Sequence, residues 1–132
     1  MGQPIVFISR FRIKDGQYSA YKELAAEVTP RLMADKPGTV VFLSYVGEGN
    51  ALTIIHAFPD AESMDRHLEG SDERSRAAMA HLVPLGWEIY GVPSETALAT
   101  MERAAATRGV TLTVHRDYVG GFVRPSGRSF EA

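Results

Sequence analysis

The sequence contains no cysteine, and this absence removes several kinds of chemistry at once. Disulfides, thiolate metal sites, iron–sulfur ligation and cysteine nucleophiles all need that residue. An excess of positive charge is also missing, because 14 Lys and Arg oppose 16 Asp and Glu and give a net charge of −2. Binding to a nucleic-acid backbone needs a basic footprint, so we expect no nucleic-acid partner.

Long apolar segments are absent as well. The uninterrupted apolar runs are far shorter than the roughly 20 residues that a membrane helix requires, and the first residues lack the basic and then apolar pattern of a secretory signal. We therefore expect no membrane partner. The lack of cysteine suits a reducing compartment, so the expected location is the cytoplasm.

The size and composition of the chain are those of one ordinary domain. The 132 residues, 45% hydrophobic and 23% charged, are enough for one compact core and too few for two. We therefore predict a single domain over residues 1–132.

Five segments have the β-branched and aromatic composition of strands. Between them, apolar residues at three-and-four spacing predict helices. The predicted strands cover residues 4–13, 39–46, 51–58, 87–92 and 110–115, and the predicted helices cover residues 17–35, a short segment from 61, 71–82 and 95–108. Pro30 predicts a kink near Val28 or a helix restart capped by Thr29, while Pro84 and Gly86 are expected to end the third helix.

This order of elements, βαββαβ followed by αβ, is typical of the ferredoxin-like α+β fold with an extra C-terminal αβ unit from about residue 94. Alternation along the strands predicts apolar residues on both faces of the sheet, with Phe7 and Phe11 on one face and Val6 and Ile8 on the other. Each large side chain left in water would forfeit about 1.5–3 kcal/mol. We expect helices on one face, and on the other either a second copy of the chain or residues 94–132. A homodimer is favoured, because symmetric pairs are the commonest oligomers.

Common enzyme motifs are missing. The sequence has no dinucleotide-binding loop, P-loop, Gly-x-Ser-x-Gly elbow or His-Glu-x-x-His. The four histidines lie eleven or more residues apart with no carboxylate at ligand spacing, so no metal site is predicted.

His56 and His67 are the main candidates for chemistry. His56 shares the parity of Leu52, Ile54 and Phe58 in an apolar strand, and His67 lies on the apolar side of a helix. Each is either a core histidine held by a hydroxyl or backbone group, or a base that works near neutral pH.

Other polar and aromatic residues could bind a ligand. Arg10 lies on the Val6 face, where a guanidinium needs a carboxylate or a ligand anion unless it reaches the surface. Trp87 and Tyr90 are either core or rim aromatics, or rings that bind a flat compound.

Several motifs together resemble the antibiotic-biosynthesis-monooxygenase-like family of the dimeric α+β barrel superfamily, over about residues 5–83. These motifs are Phe11-Arg12-Ile13-Lys14-Asp15-Gly16, Lys36-Pro37-Gly38-Thr39, and Phe58-Pro59-Asp60-Ala61-Glu62 followed by Met64 and His67-Leu68.

The resemblance implies a homodimer with a ligand cavity between each sheet and its helices. In some members it also implies cofactor-free oxygenation of quinols, anthrones or related phenols. His67 matches a histidine common in the family and is the candidate base, with His56 as the alternative. A haem-degrading branch has asparagine, tryptophan and histidine where this chain has Ser9, His67 and Ala77, so no cofactor is expected. The candidate substrate-binding residues are Ser9, Arg10, Phe58, Trp87 and Tyr90.

The functional hypothesis is therefore a cofactor-independent monooxygenase-like enzyme for a small aromatic or polyketide-type ligand. Three alternatives stay open: a non-catalytic small-molecule-binding or stress-related dimer, a structural dimer with a filled core, and an isomerase or lyase acting on lactones. A cavity of about 300 Å³ or more near His67 would separate the filled core from the others.

Overall fold

The computed structural model describes residues 2–124. Their strands and helices follow the predicted order, and no helix among them is both long and apolar enough to cross a bilayer. The strands are β1 (Ile5–Ile13), β2 (Val41–Val46), β3 (Ala51–Phe58), β4 (Leu82–Tyr90) and β5 (Thr111–His115), and the helices are α1 (Tyr18–Asp35), α2 (Ala61–Leu68), α3 (Ser71–Met79) and α4 (Glu95–Arg108).

The strands form one sheet in the order β2-β3-β1-β4-β5. The first four strands pair antiparallel with their neighbours, and β5 adds to the edge parallel to β4. A parallel neighbour needs a crossover, which α4 supplies. The predicted ferredoxin-like α+β plan with an extra αβ unit is therefore confirmed.

One face of the sheet, called here the inner face, carries the core. Along β1 the odd-numbered residues are buried, whereas the even-numbered ones are partly or fully exposed. Two buried clusters lie at opposite ends of this face and leave the middle to smaller and polar side chains. One cluster contains Ile5, Phe7, Phe58, Met64, Trp87, Ile89, Met101 and Ala105, and the other contains Phe11, Ile13, Tyr21, Leu52 and Leu82.

Large apolar side chains on the outer face are exposed to solvent. Leu43 and Tyr45 on β2 are 44% and 59% exposed. The C-terminal unit does not cover them, because Met101 and Ala105 place α4 in an inner-face cluster and β5 extends the sheet edge. Residues 94–124 therefore do not cover these outer-face side chains, and the expected homodimer stays a prediction.

Strand β4 begins earlier than the sequence pattern suggests. We expected helix as far as Leu82, ended by Pro84 and Gly86, but α3 stops at Met79 and β4 runs through both residues. Pro84 is tolerated because β5 pairs with β4 only from Gly86 onward, so this part of β4 has one neighbouring strand. The pairing with β1 shifts register between Arg10 and Phe11, opposite this segment. Gly70 is the N-cap residue of α3, with a φ of 78°, and no side-chain hydrogen bond caps this helix.

Helix α1 passes through Pro30 without a restart. Proline cannot donate the hydrogen bond that residue 26 would accept. The Thr29 hydroxyl donates to the Ala25 carbonyl at 2.8 Å, so Thr29 lies inside the helix and is not a new cap. The glycines and proline after Asp117 predict an irregular tail, and the part of it from Pro125 onward lies outside the described residues.

Candidate functional site

A partly open cavity of about 650 Å³ lies between the middle of the inner face and the helices. This volume is in the range of small-molecule sites and contradicts the filled-core hypothesis. Its walls come from β1, β2, β3 and β4 on one side and from all four helices on the other. Those from the sheet include Phe7, Ser9, Phe11, Phe42, Ser44, Ile54, His56, Leu82 and Trp87.

Helix α1 supplies the wall opposite the sheet. Its apolar stripe repeats at three-and-four spacing, which places the stripe on one side of the helix. The sequence predicts this stripe, and the structure shows that it lines the cavity. The stripe residues that line the cavity are Tyr21, Leu24, Ala25, Val28 and Leu32.

His56 reaches the cavity from β3 and is 7% exposed. Its Nδ1 lies 3.1 Å from the carbonyl oxygen of Phe7, its antiparallel partner in β1. A carbonyl only accepts hydrogen bonds, so Nδ1 carries the proton and Nε2 carries the lone pair. The rings of Phe7 and Phe42 hold the imidazole, with centroids 5.0 and 5.2 Å away.

His67 enters from the last turn of α2 and is 5% exposed. Asp60 starts this helix by accepting a hydrogen bond from the Ser63 amide at 2.8 Å, which fixes the side of α2 that faces the sheet. His67 Nδ1 is 2.7 Å from the hydroxyl oxygen of Thr39, just before β2. Phe58 packs beneath the ring at a centroid distance of 5.2 Å.

The two imidazoles meet edge to face with centroids 5.1 Å apart. Burial lowers the pKa of His56 to about 4, and the positive charge of Arg74 contributes to the shift. Burial, and then the charges of His56, Arg74 and Lys36, lower the pKa of His67 to about 3. Both rings are therefore neutral near pH 7, and each carries one unprotonated nitrogen.

Arg74 on α3 is a cation whose charge lowers the pKa of both histidines. Its guanidinium donates to the backbone carbonyls of His67 and Glu69, at the C-terminal end of α2. Carbonyls at a helix end lack partners within the helix, and a cation there is favourable. Arg74 is half-buried, and burial lowers its pKa. It lines the cavity together with both histidines.

Among the predicted substrate-binding residues, the structure brings Ser9 and Trp87 to the cavity. They are register partners in β1 and β4, and Ser9 is also opposite Ile54 in β3. Phe58 is fully buried at 0% exposure and supports His67 from below without lining the cavity. It is therefore placed to position His67 and not to touch a ligand.

Arg10 and Tyr90 are not brought to this cavity. Both lie on the outer face, where Arg10 Nε is 2.8 Å from a carboxylate oxygen of Glu88 and the Tyr90 hydroxyl donates to the other at 2.7 Å. The hydrogen bonds from Tyr90 and then Arg10 lower the pKa of Glu88. The Tyr90 ring stacks on His115 at 4.6 Å. The carboxylate that Arg10 was expected to need is therefore Glu88.

Sequence reasoning missed several residues that line the cavity. Tyr21 was assigned only to the apolar stripe of α1, and burial raises the pKa of its hydroxyl. Ser44 has the same strand parity as Phe42, which was a signal available from the pattern. Arg74 gave no signal, because its position depends on how α3 packs against α2. Among residues 2–124, no three His, Asp or Glu side chains come together as a metal site would require.

Solved structures of the same fold support this architecture. MupZ from Pseudomonas fluorescens aligns over 94% of this chain and 97% of its own, with 17% identity and a TM-score of 0.67. SnoaB, a cofactor-independent oxygenase from Streptomyces nogalater, aligns over 70% of this chain and 96% of its own, with 18% identity and a TM-score of 0.56. A putative antibiotic biosynthesis monooxygenase from Caulobacter crescentus aligns over 67% and 88%, with 10% identity and a TM-score of 0.60.

No family model matches the chain, and no curated protein does. At these identities the structural similarity concerns the fold. The ferredoxin-like α+β fold implied by the sequence resemblance is confirmed. The alignment with MupZ covers 94% of this chain, so it includes at least part of the αβ unit formed by α4 and β5. The motif resemblance, over about residues 5–83, does not extend to this unit.

Proposed function

We propose that this protein is a cofactor-independent monooxygenase-like enzyme that acts on a small aromatic, quinol or polyketide-type substrate in the inner-face cavity. One observation carries the proposal: two buried, neutral imidazoles border a cavity of about 650 Å³ whose other walls are largely apolar. A base, an electron-rich substrate and a site with little water are what such chemistry needs from a protein. The fold shared with SnoaB, a cofactor-independent oxygenase, supports the same reading.

His56 is the proposed base, because the hydrogen bond to Phe7 leaves its Nε2 unprotonated. His67 is the second candidate, since its partner Thr39 can either donate or accept. A base of low pKa is weak in the empty cavity. A substrate anion formed beside it would favour the protonated imidazole and raise that pKa, because opposite charges within a few ångströms stabilise each other.

The proposed reaction uses dioxygen as the oxidant. For an anthrone-type CH2 group, His56 takes one proton, and the resulting carbanion passes an electron to dioxygen. The radical pair combines to a carbon–oxygen bond, and the imidazolium returns its proton to give a hydroperoxide. Breaking the O–O bond with loss of the second C–H proton releases water and leaves a carbonyl. One CH2 and one O2 therefore give one C=O and one H2O.

The working molecule is proposed to be a homodimer that pairs through the outer face. Leu43 and Tyr45 would be buried there, and burial of each large side chain contributes about 1.5–3 kcal/mol. The cavity opens on the opposite side of the sheet, so pairing would leave it accessible.

Oxygen uptake tests the proposal. Metal-free protein is supplied with anthrone and a panel of quinols, and wild type is compared with His56→Gln and His67→Gln. His81 is bonded to Gln17 and does not line the cavity, so His81→Gln is the matched control. We expect uptake above buffer in wild type and control, reduced about 10²–10⁴-fold in His56→Gln. Uptake no greater than buffer in wild type, or equal in all variants, would contradict the proposal.

A non-catalytic binding module is the second candidate. The low pKa values of about 4 and about 3 favour it, because they make both imidazoles weak bases. In that case aromatic ligands would raise the melting temperature of wild type, His56→Gln and His67→Gln alike without any oxygen uptake.

A further inference from the structure

Positive charge is concentrated in the parts of the cavity wall that α3 and α4 supply. Exposed side chains in the lining mark the opening to solvent, and Arg76 and Arg103 are among them. Four arginines and one carboxylate line the cavity, although the chain as a whole has a net charge of −2. These residues are Arg74, Arg76, Arg103, Arg108 and Asp72.

The arginines share this space because of helical periodicity. In α4 the lining residues recur at three-and-four spacing, which gives one polar stripe along the helix. The residues of this stripe are Thr100, Arg103, Ala104, Thr107 and Arg108. Arg74 and Arg76 approach the same cavity from α3. Two helices therefore direct cations to the same cavity.

Carboxylates do not neutralise these arginines in the part of the chain that the structure describes. Arg74 donates to backbone carbonyls, and the one side-chain contact of Arg103 is with the Thr100 hydroxyl at 3.4 Å. The ion pairs among residues 2–124 are Arg10–Glu88, Arg31–Glu27 and Arg66–Glu62. None of them involves the opening.

We infer that the cavity takes an amphipathic ligand with an anionic group. This inference rests on the proposed function only in using the same cavity. The apolar body of the ligand lies against the sheet and α1, and the anionic group, a carboxylate or a phosphate, lies between α3 and α4. Guanidinium groups form charge-assisted and often paired hydrogen bonds with both anions. At the half-buried Arg74 and Arg108, a lower local dielectric strengthens that attraction relative to open water.

The inference also orients the ligand. Arg74 lowers the pKa of both histidines, so its charge is felt in the reacting part of the cavity as well as at the opening. An anionic group near the arginines would extend the ligand from the opening toward Ser9, Trp87 and the two imidazoles. This arrangement discriminates against neutral aromatic compounds of the same size.

Three naphthalenes with one apolar body test the inference. The dissociation constants of 2-naphthoate, 2-naphthyl phosphate and the neutral 2-naphthamide are measured by calorimetry or naphthalene fluorescence, at low and at high salt. The variants are Arg76→Gln with Arg103→Gln, both exposed, and, as the matched control, Arg31→Gln, an exposed arginine on α1 that does not line the cavity.

We expect wild type and Arg31→Gln to bind at least one anion about tenfold or more tightly than the amide, with a smaller preference at high salt. The double variant should reduce that preference about threefold or more while leaving amide affinity unchanged. The stronger of the two anions then identifies the class of anionic group. Equal affinity for all three probes, no binding of any, or an unchanged preference in the double variant would overturn the inference.

Failure here is distinguishable from failure of the proposed function. Oxygen uptake on neutral anthrone with no anion preference would retain the enzyme and reject the charged ligand. Anion preference with no uptake on any quinol would retain the charged ligand and reject the oxygenase.

Discussion

The two faces of the sheet carry histidines in opposite circumstances. On the inner face, His56 and His67 are buried among phenylalanine rings with their pKa values lowered to about 4 and about 3. On the outer face, His115 is exposed and stacks on Tyr90 beside the Arg10–Glu88 ion pair. On the inner face, burial first and then nearby positive charge lower the pKa values of the two histidines.

The faces differ because neighbouring residues in a strand point in opposite directions. Ser9 lines the cavity, whereas Arg10, the next residue, forms an ion pair on the other side of the sheet. The inner face carries the proposed chemistry, and the outer face carries the proposed contact with a second copy. Four experiments can break or sharpen this division.

The largest effect is expected on the outer face. Leu43→Glu together with Tyr45→Glu would place two like charges in the proposed dimer contact, where an uncompensated buried charge costs about 3–5 kcal/mol. We expect wild type to sediment as a dimer at micromolar concentration and the double variant to sediment as a monomer, with the dissociation constant raised about a thousandfold. A wild-type monomer under these conditions would contradict the proposed dimer contact on the outer face.

Burial of His56 on the inner face should make the stability of the fold depend on pH. His56 binds a proton with a pKa near 6.5 when unfolded and about 4 when folded. Below pH 6.5 the unfolded state therefore binds more protons than the folded state. By pH 4 this residue lowers the free energy of unfolding by about 3 kcal/mol relative to pH 7. Denaturant unfolding at pH 7 and pH 4 should show that the free energy of unfolding falls less in His56→Gln than in wild type. His81→Gln should retain the loss of wild type; an identical loss in His56→Gln would be inconsistent with a buried neutral ring.

Filling the cavity should weaken binding without unfolding the protein. Val28 lines the cavity from α1, whereas Ala26, two residues earlier, is exposed. Val28→Trp should raise the dissociation constant for 2-naphthoate about tenfold or more, because an indole occupies the space of the ligand. Ala26→Trp, with the same side chain on the solvent side, should bind like wild type. Equal weakening in both would point to an effect on the helix rather than on the cavity.

The smallest effect is expected at the Arg10–Glu88 ion pair. Its side chains are 50% and 24% exposed, and exposed ion pairs contribute less than about 1 kcal/mol. Arg10→Gln should therefore change the free energy of unfolding by less than that amount and leave naphthoate binding intact. A large loss of binding would instead connect the outer face to the ligand site.

Much of this division could be predicted from the sequence. Strand parity assigns His56 to the face of Leu52 and Phe58, and Arg10 to the face of Val6. The hairpin of β2 and β3 and the helix from Ser94 to Gly109 follow from local signals at their ends. Local pattern failed at β4, because whether Pro84 is tolerated depends on the absence of a second neighbouring strand there.

The family resemblance implied a cavity between the sheet and the helices, but the residue pattern by itself could not predict one. The apolar stripe of α1 looks the same whether it packs on solid core or borders a cavity, since the spacing of α1 from the sheet is a property of the assembled molecule. The same holds for Arg74, whose distance from both histidines is set by the packing of α3 on α2. The sequence identified His56 and His67 as separate candidates, and only the folded structure shows that their ring centroids are 5.1 Å apart.

The central claim is that two neutral imidazoles, one with a fixed tautomer, border the cavity. Nitrogen NMR of 15N-labelled histidine tests it directly, by following each ring from pH 7 to pH 3.5. We expect His56 to be neutral at pH 7, protonated at Nδ1 and not at Nε2, and to titrate near pH 4. A titration of His56 near pH 6.5, or a proton on Nε2 of the neutral ring, would contradict the account.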